Sequence, residues 1–430
     1  LEFPLQPAWH ITCAQPPAPA WRPITKAYNR MEFDYAPQPV IANGLLYFGS
    51  SADDTVRALD AKSGEERWYF IAGGPVRFAP QVVGDRIYFA ADDGFVYCLD
   101  AATGKLGWSF RAAPYDDCLL GDGRMISRWP IRTGVLVDAG VVYAVAGMWP
   151  SEGVFVYALD AADGRVIWCN DTGGRPASWE IPKGREVFFF QSGLTPQGPL
   201  LANRDVLLVP MGRSSPVGFD RKTGRLLYFY PGAKYSGIAG TPYAMSDGQY
   251  ILYAFTGRGK SMSIVRGNAT QGGGGGAPMK LEGTVPQAGD FNPVTGKWVP
   301  SARGLDACLI FVKDRLYARK AYSLALMGDI LLAGEAGNVV AYEVKPTSPR
   351  KAGVPAYYAS ETQKEIWRAT VNGQARGLAV AEGRVFVTTD AGEIYCFAPG
   401  KGGKLSVTGD RLSGKGSQNV ETGSQKITDN

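Results

Sequence analysis

Short apolar runs recur along the chain, rich in β-branched and aromatic residues, and Gly, Asp or Asn closes each of them. That pattern reads as strands joined by tight turns rather than as helices. One segment type repeats closely. RALDAKSGEERW, YCLDAATGKLGW and YALDAADGRVIW place Asp60, Asp100 and Asp160 before Gly64, Gly104 and Gly164, and then Trp68, Trp108 and Trp168. A fourth copy, VGFDRKTGRLLY, has Asp220 and Gly224 with Tyr228 in the Trp slot, and FNPVTGKWV at 291–299 is a decayed fifth. Successive Asp residues lie 40, 60 and 60 positions apart, so the unit recurs with insertions.

Each copy predicts a hairpin. The β-formers before Asp make one strand and the stretch through Trp makes the next. Asp folds its carboxylate onto nearby backbone N–H groups, and Gly accepts the positive φ of the turn. Trp then stands on the following strand, spaced to pack against a neighbouring unit. These are turn and interface residues, and Trp367 in KEIWRAT is a further outer-strand Trp of the same kind.

Upstream of each motif lies a second hairpin: QPVIANGLLYFGS, APQVVGDRIYFAADD, TGVLVDAGVVYAVAG, GPLLANRDVLLVPMG, TPYAMSDGQYILYAF, LALMGDILLAGEAG and GLAVAEGRVFVTTDAG. Two hairpins make a four-stranded antiparallel blade, and repeats of about 40 residues with four strands are the signature of a β-propeller. The predicted fold is therefore all-β, a propeller over residues 37–398. Seven blades are favoured, and LDACLIFVKDRLYAR at 305–319 leaves eight open. The last unit lacks its Trp strand, whereas residues 9–12 (Trp9, His10, Ile11, Thr12) resemble one. We expect that N-terminal strand to complete the last blade and close the ring. Cys13 would then approach Cys396, with a disulfide between them left open.

These motifs resemble the pyrroloquinoline-quinone (PQQ)-like β-propeller repeat. That family includes quinoprotein alcohol dehydrogenases and the periplasmic scaffold lipoprotein of outer-membrane protein assembly. GGPVRFAPQVV, MISRWPIRTG and GEIYCFAPG further resemble a secreted, planctomycete-type subgroup without an assigned activity. The resemblance implies the fold and an envelope or extracellular location; function must be argued from the site.

The chemical inventory narrows the choice. Quinoprotein dehydrogenases of this fold use an adjacent cysteine pair, a calcium held by carboxylate and Asn, and an Asp base; this chain has no adjacent cysteines and no acidic cluster with metal-loop spacing. PQQ and calcium are therefore not expected, and no metal site is predicted. His10, the single histidine, sits on the proposed closing strand, where a structural role is expected, so Ser-His-Asp and Cys-His arrangements lack support. The six cysteines show no CxxC, leaving free thiols or one or two disulfides open. A net charge of +5 with scattered Lys and Arg does not suit nucleic acid, and no run of about 18 apolar residues supports a membrane span. LEFPLQPAWHITC has neither the basic start nor the apolar run of a signal peptide, which leaves open a mature end, a cloning scar or an internal cut, and with them a whole protein or one module of a larger protein or assembly.

Arg and aromatic residues near the starts of the inner strands are the candidate ligand-binding set: Arg77, Arg128, Trp129, Arg132, Trp149, Gln197, Arg213 and Arg376. Arg forks and Trp faces at one mouth of a propeller suit anionic or sugar-like ligands, while inter-blade ion pairs would use the same residues. Trp129 and Trp149, each beside Pro, are expected to be exposed. Segment 1–36 precedes the propeller, insertions are expected at about 257–304 and 345–363, and the polar stretch 399–430 reads as a linker or tail. Together these features predict a periplasmic or extracellular binding scaffold for a protein or glycan partner. An enzyme acting at the channel mouth is the alternative, and a PQQ-dependent dehydrogenase comes third.

Overall fold

The computed structural model describes residues 1–21, 33–121, 123–172, 193–211, 216–228, 321–344 and 363–400, with the backbone of short strands elsewhere. Its first blade comprises Val40–Ala42, Leu45–Gly49, Thr55–Asp60 and Glu66–Ile71, paired antiparallel in chain order. Three more four-stranded sheets repeat this order over 81–111, 135–170 and 201–228. Near the C-terminus, Ser323–Met327, Ile330–Val344, Gln363–Ala381, Arg384–Thr389 and Glu393–Pro399 form one continuous sheet. Gln363–Ala381 serves twice there, pairing through its first part with 336–344 and through Ala375–Ala381 with the strand at 384–389.

Leu5–Thr12 pairs antiparallel with Glu393–Pro399, from Leu5 opposite Pro399 to Thr12 opposite Glu393. The N-terminal strand thus completes the last blade as its outer strand, as the orphan Trp9 strand predicts. Trp9 and Ile11 pack with Phe386, Ile394 and Cys396 of that blade and with Leu46, Phe48 and Leu59 of the first, so the two blades share one core. His10 stacks on Tyr395 at 4.3 Å and bonds Glu393, which also accepts from Thr12 at 2.9 Å. This register places Trp9, not Cys13, opposite Cys396, while Cys13 donates its backbone N–H to Gly392. Cys13 and Cys396 are both free thiols, as are Cys98, Cys118 and Cys169, so the Cys13–Cys396 bridge does not form. Blade number, ring closure, most of the two insertions and nearly all of the tail lie outside the described residues.

The second strand of each blade is buried on both sides. Leu46, Tyr47 and Phe48 are fully enclosed in the first, Ile87, Tyr88 and Phe89 in the second, and Val142–Ala146 in the third. A strand sandwiched between neighbouring sheets cannot alternate apolar and polar, which is why these read as unbroken apolar runs.

The Asp-Gly-Trp repeat forms the inter-blade joint. Asp60 Oδ1 accepts the backbone N–H groups of Lys62 and Ser63 at 2.9 Å, and Gly64 donates its N–H to Asp60 O at 2.8 Å. Each outer-strand indole then donates to the residue after the next blade's Asp. Trp9 bonds Ala61 O at 3.1 Å, Trp68 bonds Ala101 O at 3.0 Å, Trp108 bonds Ala161 O at 3.1 Å and Trp168 bonds Arg221 O at 3.2 Å. Trp367 closes the last joint on Leu5 O at 2.9 Å. The turn Gly lies under the indole face. At Gly104, with φ of 71°, a Cβ would come 2.6 Å from Trp68 ring atoms, so both the backbone and the contact require glycine. A one-residue register shift before each of Trp68, Trp108 and Trp168, between Ala58 and Leu59 in the first blade and at the matching place in the next two, turns the ring toward the following blade.

Candidate functional site

Four of the predicted residues are linked through the chain's own N-terminal segment. Arg77, Arg132, Gln197 and Arg376 stand at or just before the starts of inner strands 81–83, 135–138, 201–202 and 375–381. The chain's own N-terminal segment crosses them. After the first strand it contacts Ser51, whose Oγ accepts the Ala18 N–H at 3.0 Å. Trp21 Nε1 then donates to Gln197 Oε1 at 2.7 Å, and the Arg132 guanidinium lies 5.8 Å from the Trp21 ring. Returning through Phe33, which stacks on Phe78 at 4.9 Å, the segment places Tyr35 under Arg376 at 4.6 Å. Tyr35 OH donates to Trp21 O, and Thr388 Oγ1 donates to Pro37 O. One short segment therefore ties the first blade, the connections into the second, third and fourth, and the last blade.

Beneath it lies a charge network. Arg77 Nε donates to Asp92 Oδ2 at 2.6 Å and its Nη1 to Asp34 Oδ2 at 2.6 Å and Ala18 O at 2.9 Å. Arg132 reaches both oxygens of Asp92, at 3.3 and 3.1 Å. All four side chains are buried. Two guanidiniums share Asp92, and their field outweighs its burial and holds its carboxyl below the ordinary range. Asp34 has one Arg partner and an Oδ1 without any, so burial pushes its carboxyl up. Arg77, between the two carboxylates, is held more firmly protonated. The adjoining cavity, lined by Asp34, Arg77, Ser50, Ser51 and Gln15, has a volume of about 10 Å³, room for roughly one water.

The remaining candidates sit apart. Arg128 donates to Asp117 at 2.7 Å and to Glu152 at 3.1 Å. Trp129 is 6% exposed rather than open to solvent: its ring lies 5.9 Å from Tyr115 and its Nε1 donates to Glu152 O at 2.5 Å. Trp149 is 37% exposed, as its loop position suggested. Arg213 lies outside the described residues. Sequence reading missed Asp34, Asp92, Trp21 and Tyr35. The signal was present in APAW and EFDYAPQP, which carry too many aromatics for a free linker.

Among the described residues no three His, Cys, Asp or Glu side chains converge as metal ligands, and Asp92 and Asp34 neutralise the Arg77 and Arg132 guanidiniums. No helix among the described residues is long and apolar enough to cross a membrane.

Blades of this order, joined by Trp-to-turn contacts, define a β-propeller, and its repeats are similar to those of the PQQ-like family. Residues 9–128 match the family described as outer membrane protein assembly factor BamB. The quinohemoprotein alcohol dehydrogenase ADH IIB of Pseudomonas putida is 30% identical over 174 residues, 35% of this chain and 22% of that protein. The serine/threonine-protein kinase AfsK of Streptomyces griseus is 31% identical over 137 residues, 30% of this chain and 15% of that protein. The chain thus covers less than a quarter of the length of these curated relatives. Among solved structures, the quinohemoprotein alcohol dehydrogenase ADHIIG of Pseudomonas putida HK5 superposes with a TM-score of 0.55 at 14% identity, over 95% of this chain and 78% of that one. The quinohemoprotein alcohol dehydrogenase of Comamonas testosteroni gives 0.54 at 14% identity, with the same coverage. At these identities the likeness is one of fold.

Proposed function

We propose that this propeller is a non-enzymatic scaffold that binds a partner protein in the periplasm or outside the cell, without PQQ or calcium. One observation carries the reading: the side chains best suited to hold a substrate at the mouth, Arg77, Arg132 and Gln197, are buried and hold the chain's own segment through Asp34, Asp92 and Trp21. The water-sized cavity beside Asp34 and Arg77 supports it, because a substrate would not fit there. The match to an assembly-factor family over 9–128 points the same way.

The test has two arms. Crosslinking in the cell of origin, read by mass spectrometry, should join this chain to the same second protein in independent preparations. Purified chain given PQQ and Ca²⁺ should neither reduce a dye with alcohols nor melt later, whereas a true ligand at a hundred times its Kd adds about 2.7 kcal/mol. A chain that crosslinks only to itself and oxidises an alcohol overturns the proposal.

A further inference from the structure

Between the second and third blades the chain inserts a hairpin, Cys118–Gly121 paired with Arg124–Ser127, that belongs to no blade sheet. It is fixed to the body at several points. Arg124 donates to Ala52 O at 2.7 Å and to Asp54 at 2.5 Å, Ser127 N donates to Asp92 O at 2.7 Å, and Ile126 is buried. Its other face is open. Leu120 and Met125, directly opposite each other, are 72% and 61% exposed, and Tyr115 beside them is 69% exposed. Cys118 and Leu119 are exposed as well. Elsewhere among the described residues the large exposed apolar side chains stand singly or, at Val166 and Ile167, as one adjacent pair; here four fall within eleven residues.

The backbone of this hairpin supplies the second half of the argument. Arg128 N donates to Asp117 O at 2.8 Å, so that pair is a hydrogen-bonded one. In an antiparallel ladder bonded and non-bonded pairs alternate, so Cys118 opposite Ser127 and Leu120 opposite Met125 are non-bonded pairs. Ser127 accordingly sends its N–H outward, to Asp92 O. By the same alternation Cys118 and Leu120 direct their N–H and C=O groups away from the hairpin, along an edge that no strand among the described residues covers. Flat apolar edges are ones that proteins normally blunt with charge or Pro. The charged residues at the hairpin's base are Asp116, Asp117, Arg128 and, from the neighbouring loop, Glu152: three carboxylates and one guanidinium, which already bonds Asp117 and Glu152.

We propose that the edge Cys118–Gly121 docks a β-strand of a partner protein, one whose side chains alternate apolar and basic. Backbone bonds to Cys118 and Leu120 extend the hairpin to three strands. Apolar side chains of the incoming strand cover Leu120 and Met125, and its Lys or Arg residues meet the carboxylates at the base. The assignment rests on the scaffold reading above and names the surface that does the binding.

The probe is a labelled peptide of alternating Lys and Val, with a Glu/Val peptide as counterpart, titrated against the full chain by fluorescence anisotropy. Hydrogen exchange of 115–128 is followed in parallel. Lys/Val should bind saturably and slow exchange at 118–121, and Glu/Val should bind at least tenfold more weakly. Leu120→Pro removes an N–H the hairpin does not use, so it should weaken binding at least tenfold with an unchanged melting temperature. Met125→Lys, on the exposed face, should do the same should Leu120→Pro disturb the hairpin. Equal binding of both peptides, or binding indifferent to both variants, overturns the assignment. Protection appearing on another segment removes the hairpin but leaves the scaffold reading standing; alcohol oxidation with PQQ removes both.

Discussion

Gly104→Ala tests the inter-blade joint most directly, because two separate costs meet at one atom. The native φ of 71° is left-handed, which costs an alanine roughly 1–2 kcal/mol. Its new Cβ would also lie 2.6 Å from two ring atoms of Trp68, and relieving such an overlap in a packed site costs about 1–3 kcal/mol more. Gly84→Ala is the control, since φ there is 64° but nothing lies within 4 Å of the added atom. Trp68→Ala alone should cost about 3–5 kcal/mol of packing. It leaves Ala101 O bonded, because Tyr47 OH also donates there at 3.0 Å. In the double variant the overlap is gone, so the combined loss should fall short of the sum by about 1–3 kcal/mol. Urea unfolding followed by far-UV circular dichroism, compared at constant m, reads all four proteins. If Gly104→Ala costs no more than Gly84→Ala, or the pair is additive within about 0.5 kcal/mol, the Gly-on-Trp joint is wrong.

Four further outcomes follow from the same geometry. Asp92→Asn leaves Arg77 and Arg132 without a shared carboxylate in a buried site and should cost about 3–5 kcal/mol by the same urea assay. Trp129→Ala combined with Arg132→Ala should lower the melting temperature sharply, because both side chains are buried, rather than leave a folded chain with a weakened mouth. Alkylation of the native protein, mapped by mass spectrometry, should modify exposed Cys118 first and spare Cys13, whose thiol burial pushes up to about 12. Asp60 is held at about 2 by its bond from Arg67 and the turn N–H groups, below its ordinary 3.8. Its contribution is therefore complete above pH 4 and is lost as pH falls toward 2, so an acid titration of Asp60→Asn should be shallower than wild type over that interval.

The joints were legible because a turn carboxylate, a left-handed glycine and a large aromatic each leave a letter in the sequence at fixed spacing. The closing strand was legible for the same reason, with Trp9 standing in for the missing outer-strand Trp. The register shift before each Trp left no letter, since any residue can occupy the extra position, as Arg67, Gly107 and Ile167 do. The mouth network was half visible. Arg77 and Arg132 stood out by type, but their partners come from 34 and 92, and nothing in one sequence ties such distant positions together. Trp129 misled for a related reason: Pro beside Trp marks a loop, and here the loop folds inward under Tyr115. The docking hairpin went unread because CLLGDGRMIS looks like any short two-stranded turn until no strand is found beside it among the described residues.

The pairing of Leu5–Thr12 with Glu393–Pro399 sets the order in which the molecule can be finished. His10 and Glu393 are separated by 383 positions, so the strand at 5–12 has no ladder to join until residues 393–399 have been made. Until then the last blade lacks its outer strand, and the turn of the first lacks the indole of Trp9. A ribosome-bound chain therefore carries two unfinished surfaces while the residues between these strands are translated, and both vanish in a single step. Joining residues 393–399 to 5–12 through a linker, with this chain opened instead at the turn at Gly84, would convert that step into a local hairpin and should speed refolding without altering any joint.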